Sequence, residues 1–133
     1  MIVIDGKNAV MGRMASFTAK EALKGEEIAI VNCGEVIITG SKKFIEGDIQ
    51  KRREMIGSGQ KGPKISRTSE KIVKRAIRGM LPDHRLGRGK EAFKRIKCYV
   101  GVPPEFKDSK KITFNHEDKL KYIKVKELEK WKI

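Results

Sequence analysis

Ile2-Val3-Ile4-Asp5 and Glu27-Ile28-Ala29-Ile30-Val31-Asn32 are two short apolar runs, and the stretch between them decides the fold. Asp5-Gly6 closes the first run. Asn8 can then cap a helix whose apolar positions include Val10, Met14, Phe17, Thr18 and Leu23, and Gly25 ends it. Apolar runs without polar alternation suit strands covered on both faces, so the order is strand, helix, strand.

Moving outward, Cys33-Gly34 breaks the second strand, and Val36-Ile37-Ile38-Thr39 supplies a third that stops at Gly40. Ser41 caps a helix carrying Phe44, Ile45, Ile49 and Ile56. Gly57-Ser58-Gly59-Gln60-Lys61-Gly62-Pro63-Lys64 is turn-forming and reads as an exposed basic loop. Thr68 or Ser69 starts a helix that must stop near Leu81, because Pro82 restricts the residue before it. A second basic loop, Asp83-His84-Arg85-Leu86-Gly87-Arg88-Gly89, leads to a short helix over 90–95 and a fourth strand at Cys98-Tyr99-Val100. Beyond Pro104 the periodicity fades, apart from 112–114 and a helical turn over 125–131. Alternating strands and helices predict an α/β domain: a three-layer α/β/α arrangement around a small, largely parallel four-stranded sheet. We divide the chain into a single α/β domain over 1–104 and a lysine-rich C-terminal extension over 105–133, packed on that domain or on neighbours.

The chain has 133 residues, 38% hydrophobic and 36% charged, with a net charge of +14. That length buries a core without staples, which excludes a knottin or peptide hormone. Such a positive field attracts polyanions. The charge is unevenly spread: residues 42–97 hold 18 basic and 6 acidic side chains, net +12, and eight of the nine arginines. Arginine's planar fork suits bidentate phosphate contacts, so this block is the expected binding surface. Within it, Lys71, Lys74, Arg75 and Arg78 recur at helical spacing opposite an apolar set, Ile72, Ala76, Ile77 and Met80, and only Glu70 interrupts them. Arg52-Arg53 and Lys94-Arg95-Lys97 repeat the theme more weakly. Aromatics, at 6%, are too few and dispersed for a base-stacking platform, so structured RNA read by shape is the expected ligand.

Catalytic and metal chemistry find no footing. Cys33 and Cys98 lack zinc spacing and read as small buried hydrophobes in a reducing compartment. His84 and His116 have no partner at a motif spacing, and Asp5-Gly6 reads as turn chemistry. The glycine loop lacks the Gly-Lys-Ser/Thr ending of a phosphate loop, and no dinucleotide or nucleophile-elbow pattern occurs. We therefore expect no catalytic residue, metal, cofactor or small-molecule substrate. No run approaches the roughly 20 apolar residues of a membrane span, and strand-like sequence begins at Ile2 without a signal core, so we expect a cytoplasmic protein with no membrane partner. An α/β nucleotide-binding enzyme acting on RNA and a chromatin-type DNA binder are the competing readings.

Ile4-Asp5-Gly6, Gly12-Arg13-Met14-Ala15-Ser16, Val31-Asn32, Ile38-Thr39-Gly40 and above all Arg75-Ala76-Ile77-Arg78-Gly79-Met80-Leu81-Pro82, followed by Gly87-Arg88-Gly89, resemble large-subunit ribosomal protein family thirteen. The match runs in order over about 1–104, and its compactness is similar to the archaeal and eukaryotic branch. The resemblance implies an α/β/α structural component of the large ribosomal subunit, in the cytoplasm, that binds large-subunit ribosomal RNA, joins during assembly, touches neighbouring ribosomal proteins and catalyses nothing. The loop over 55–63 lacks the tyrosines of bacterial members. Charge and resemblance together nominate Arg13, Lys42, Lys43, Arg52, Arg53, Lys61, Lys64, Arg67, Lys71, Lys74, Arg75, Arg78, Arg85, Arg88, Lys94 and Arg95 as RNA-binding residues.

Overall fold

The computed structural model describes residues 1–60, 62, 65–114 and 121–129; the expectations for Lys61, Lys64, His116 and Trp131 fall outside these. Along the chain lie β1 (Ile2–Asp5), α1 (Met11–Leu23), β2 (Ile28–Val31), β3 (Ile37–Thr39), α2 (Lys42–Glu54), α3 (Ser69–Arg78), α4 (Gly87–Lys94), β4 (Ile96–Cys98), β5 (Lys111–Thr113), β6 (Tyr122–Lys124) and α5 (Val125–Leu128). The main sheet has the order β4-β2-β1-β5 and every pairing in it is parallel. Ile4 faces Ile30 on one side and Ile112 on the other, while Ile30 faces Cys98.

The α/β class and the four-strand count hold, but the membership of the sheet differs. Residues 36–39 do not join it. Asn32 adopts a left-handed conformation (φ 56°) and a 3-10 turn over Cys33–Glu35 carries the chain away. Both edges of β2 are already paired, so β3 finds an antiparallel partner in β6 instead. The vacant place beside β1 goes to β5, from the stretch set apart as an extension. That stretch is built into the core, for Ile123, Val125 and Leu128 are all buried. The fourth predicted strand lies two residues earlier than expected, at β4.

Alternation along the strands divides the core. Ile4, Ile28, Ile30 and Ile96 point to one face, where Met14, Ala15, Ala19 and Ala22 of α1, Val73 and Ile77 of α3 and Ala92 of α4 cover them. Val3, Ala29 and Val31 point to the other, where Phe106 and Tyr99 cover them. Among the described residues the cover on this second face includes the 3-10 turn Pro104–Phe106. One buried phenylalanine suffices because only three side chains on that face need shielding.

Two local expectations also change. Asn8 takes a left-handed turn conformation (φ 56°) and does not cap α1, whose N-cap position falls on Val10. Helix α2 buries none of its side chains, and Phe44 is 74% exposed. Among the described residues no helix is long and apolar enough to cross a membrane.

Candidate nucleic-acid interface

Helix α3 is held by a seam of Ser69, Val73 and Ile77, spaced four apart and fully buried. They press it against α1, β4, α5 and the turn at Cys33–Glu35. Val73 takes the core position that the spacing assigns to Ile72 and Ala76, which stand to the side, half-buried; Met80, past the helix end, is 45% exposed. The opposite side carries Lys71 and Arg75, exposed, and Arg78, half-buried. Among the described residues the ion pairs involve Lys24, Lys42, Arg52, Lys124 and Lys126, so these three cations of α3 face solvent without an acidic partner. Lys74 differs: its Nζ lies 4.8 Å from the centroid of Phe93, whose ring also meets His84 at 6.2 Å. That stack joins α3, the following loop and α4.

Helix α3 forms a ridge between two clefts. On one side, Met11, Ile38, Ile49, Ile65, Ile72, Ala76 and Gly79 make an apolar hollow of about 300 Å³ rimmed by Arg52 and Arg75. Arg52 also pairs with Asp48 at 3.2 Å, one turn back on α2. On the other side, Glu70, Lys71, Lys74, Lys97, Cys98 and Tyr99 enclose about 410 Å³. Lys97 belongs with this group although it is absent from the nominated residues. Its signal is strand alternation between buried Ile96 and half-buried Cys98, which a strand placed over 98–100 obscures.

The loop after α3 has a defined shape. The Asp83 carboxylate accepts the Arg85 N–H at 3.0 Å, Gly87 adopts φ +60°, and Gly89 is buried. A side chain on Gly89 would place its Cβ 2.3 Å from the Pro82 carbonyl oxygen and 2.4 Å from that of Asp83, so glycine is required for the loop to fold back on α4. Arg85 and Leu86 are left exposed at its tip, Leu86 at 70%, and Arg88 is exposed on the first turn of α4.

The remaining nominated residues divide by what they touch. Arg13, Lys43, Arg67 and Lys94 are exposed, and Lys42 is exposed but lies 3.8 Å from Glu127. Arg53 donates to the carbonyls of Leu128 at 3.1 Å and Ser66 at 3.4 Å, tying α2 to α5. Burial and then the charge of Arg67 push its pKa down. Arg95 donates to the Ala22 carbonyl at 3.1 Å, at the end of α1 opposite Met11. Since α1 has 13 residues, about 20 Å long at 1.5 Å each, Lys94 and Arg95 are remote from the Arg52–Arg75 rim.

The Asp5 and Glu35 carboxylates serve structure. The Asp5 carboxylate accepts from the Lys7 N–H and the Asn32 side-chain amide, each at 3.0 Å, which is the turn chemistry expected of it. Glu35 accepts from Lys124 at 2.8 Å and Lys126 at 2.7 Å, and these bonds lower its pKa to about 2 while raising that of Lys124. Among the described residues no group of His, Cys, Asp and Glu could hold a metal ion.

Residues 1–105 match the family model described as ribosomal protein L13. The chain is similar to large ribosomal subunit protein uL13 of Methanocaldococcus jannaschii, 44% identical over 133 aligned residues that cover 98% of this chain and 96% of the relative. It is 51% identical over 106 residues to uL13 of Methanococcus maripaludis, covering 77% of each chain. With uL13 of Thermoplasma acidophilum it shares 43% over 110 residues, 83% of this chain and 79% of the relative.

Proposed function

The chain belongs to the ribosomal protein L13 family, whose members are ribosomal proteins and not enzymes, and from that premise we propose that it is a structural constituent of the large ribosomal subunit, in the cytoplasm, that binds large-subunit ribosomal RNA and supports assembly. The observation that carries this reading is the ridge of α3. Lys71, Arg75 and Arg78 lie opposite the buried seam with no acidic partner among the described residues, while Val73 and Ile77 fix their helix to the sheet, so the helix that carries the cations is in place before any ligand arrives. Pre-positioned guanidinium groups lose little freedom on meeting phosphate.

In this reading Arg85 and Arg88 extend the ridge, and Arg13, Lys42, Lys43, Arg52, Arg67, Lys94 and Lys97 add surrounding contacts, with Lys61 and Lys64 in the glycine loop. Arg53, Lys74 and Arg95 act chiefly by holding helices in place. Large-subunit proteins beside the chain are its other partners.

Titration of the isolated protein against large-subunit RNA over a range of salt tests this. Each neutralised phosphate contributes about −0.9 to the slope of log affinity against log salt, so a slope of about −3 or steeper is expected. A slope near zero, or equal affinity for a DNA duplex that lacks 2′-hydroxyls, overturns the reading.

A further inference from the structure

Two thiols meet where β2 and β4 end. Ile30 is the register partner of Cys98, the Tyr99 N–H donates to the Ile30 carbonyl at 2.8 Å, and the Cys33 N–H donates to the Tyr99 carbonyl at 3.1 Å. The chain leaving β2 thus stays beside the chain leaving β4, and Cys33 arrives next to Cys98 although 65 positions separate them. Cys33 lies in the core cluster against which Cys98 packs, and both cysteines are free.

The two differ in access. Cys33 is fully buried, with its thiol 3.7 Å from the Ile30 carbonyl. Cys98 is half-buried and lines the cleft that also holds Lys71, Lys74 and Lys97. One thiol is reachable from solvent and the other is buried, and three lysines against one acid, Glu70, line the entrance. An anionic small-molecule disulfide such as glutathione disulfide is attracted to such an entrance.

We propose that Cys33 and Cys98 form a redox-modifiable pair, in which an anionic small-molecule disulfide oxidises Cys98 first and Cys33 then closes an intramolecular bridge between β2 and β4. Cys98 gives up its proton to solvent and its thiolate attacks one sulfur of glutathione disulfide, releasing one glutathione and leaving the other bonded to Cys98. Cys33 then loses its proton and attacks the Cys98 sulfur, expelling the second glutathione. Two protein thiols are oxidised by two electrons, and one disulfide is reduced to two thiols. Cys33 is fully buried, which disfavours its thiolate, so closure is the slower step. The inference does not depend on what α3 binds.

The test uses the full chain, folded by circular dichroism, incubated with glutathione disulfide and read by intact mass and peptide mapping. The parent is expected to end about 2 Da lighter, with both thiols lost, a cross-linked peptide pair containing Cys33 and Cys98, and reversal by dithiothreitol. Cys33→Ser should stop at a stable glutathione adduct on Cys98, and Cys98→Ser should stay unmodified while folded. A lasting adduct on the parent, reaction only in denaturant, or a bridge between two chains overturns the proposal. The parent's mass decides even if a variant fails to fold.

Discussion

The carboxylate of Glu129 accepts hydrogen bonds from both the backbone N–H and the hydroxyl of Ser69, 60 positions earlier, each at 2.5 Å. Ser69 opens α3, and no side chain next to the helix caps it. A carboxylate here satisfies an otherwise unpaired N–H and lies at the positive end of the helix. Glu129→Ala should lower stability by about 1–2 kcal/mol, since it leaves the buried Ser69 hydroxyl without its acceptor, and Glu129→Gln by less. Urea unfolding checks this; variants as stable as the parent would mean that solvent caps α3 equally well.

Gly87 and Gly89 predict opposite sensitivities two residues apart. Gly87 has open space around its Cβ position, so alanine there meets only the positive-φ cost of about 1 kcal/mol. At Gly89 the obstacles are backbone carbonyl oxygens within 2.4 Å, which cannot yield without reshaping the loop. Gly89→Ala should therefore cost about 2–4 kcal/mol and lower RNA affinity by displacing Arg85 and Arg88. Thermal melts of both variants decide; equal losses contradict the geometry.

The two sides of α3 should separate binding from folding. Arg75→Gln with Arg78→Gln keeps the aliphatic stems and helix propensity, so stability should change by no more than about 0.5 kcal/mol while RNA affinity falls at least tenfold. Ile77→Asp buries an unpaired charge at a fully buried position, which should cost several kcal/mol and unfold the chain. Melting temperature and RNA affinity are measured on both. A double glutamine variant that melts early, or binds as the parent does, makes the cationic side structural.

Acid should loosen the turn at Glu35. Its carboxyl titrates near 2 in the folded protein against an ordinary value of 4.5. The folded value is the lower one, so the contribution to stability is fully present above about pH 4.5 and disappears as pH falls towards 2. Glu35 is 30% exposed, and solvent screening reduces the contribution to about 1 kcal/mol. Glu35→Gln should flatten the stability profile across that window relative to the parent. Parallel profiles from urea unfolding at stepped pH would show that the two lysine contacts contribute nothing.

The sequence alone determined the α/β class, because apolar runs such as Ile28-Ala29-Ile30-Val31 and the helical spacing of Lys71, Arg75 and Arg78 are local patterns that any stretch carries with it. It also located the excess charge in residues 42–97 and the glycines of the second basic loop. Which strands pair was decided only in three dimensions. In strands of three residues, such as β4 and β5, alternation does not say which neighbour pairs with them, and their place depends on which sheet edge remains open. The same holds for individual arginines. Arg53 and Arg95 read like Arg75 along the chain, yet a remote carbonyl takes the guanidinium of each, and only tertiary packing brings that carbonyl near. Ser69 with Glu129, and Cys33 with Cys98, belong to the same category: their chemistry depends on distances that sequence separation does not constrain.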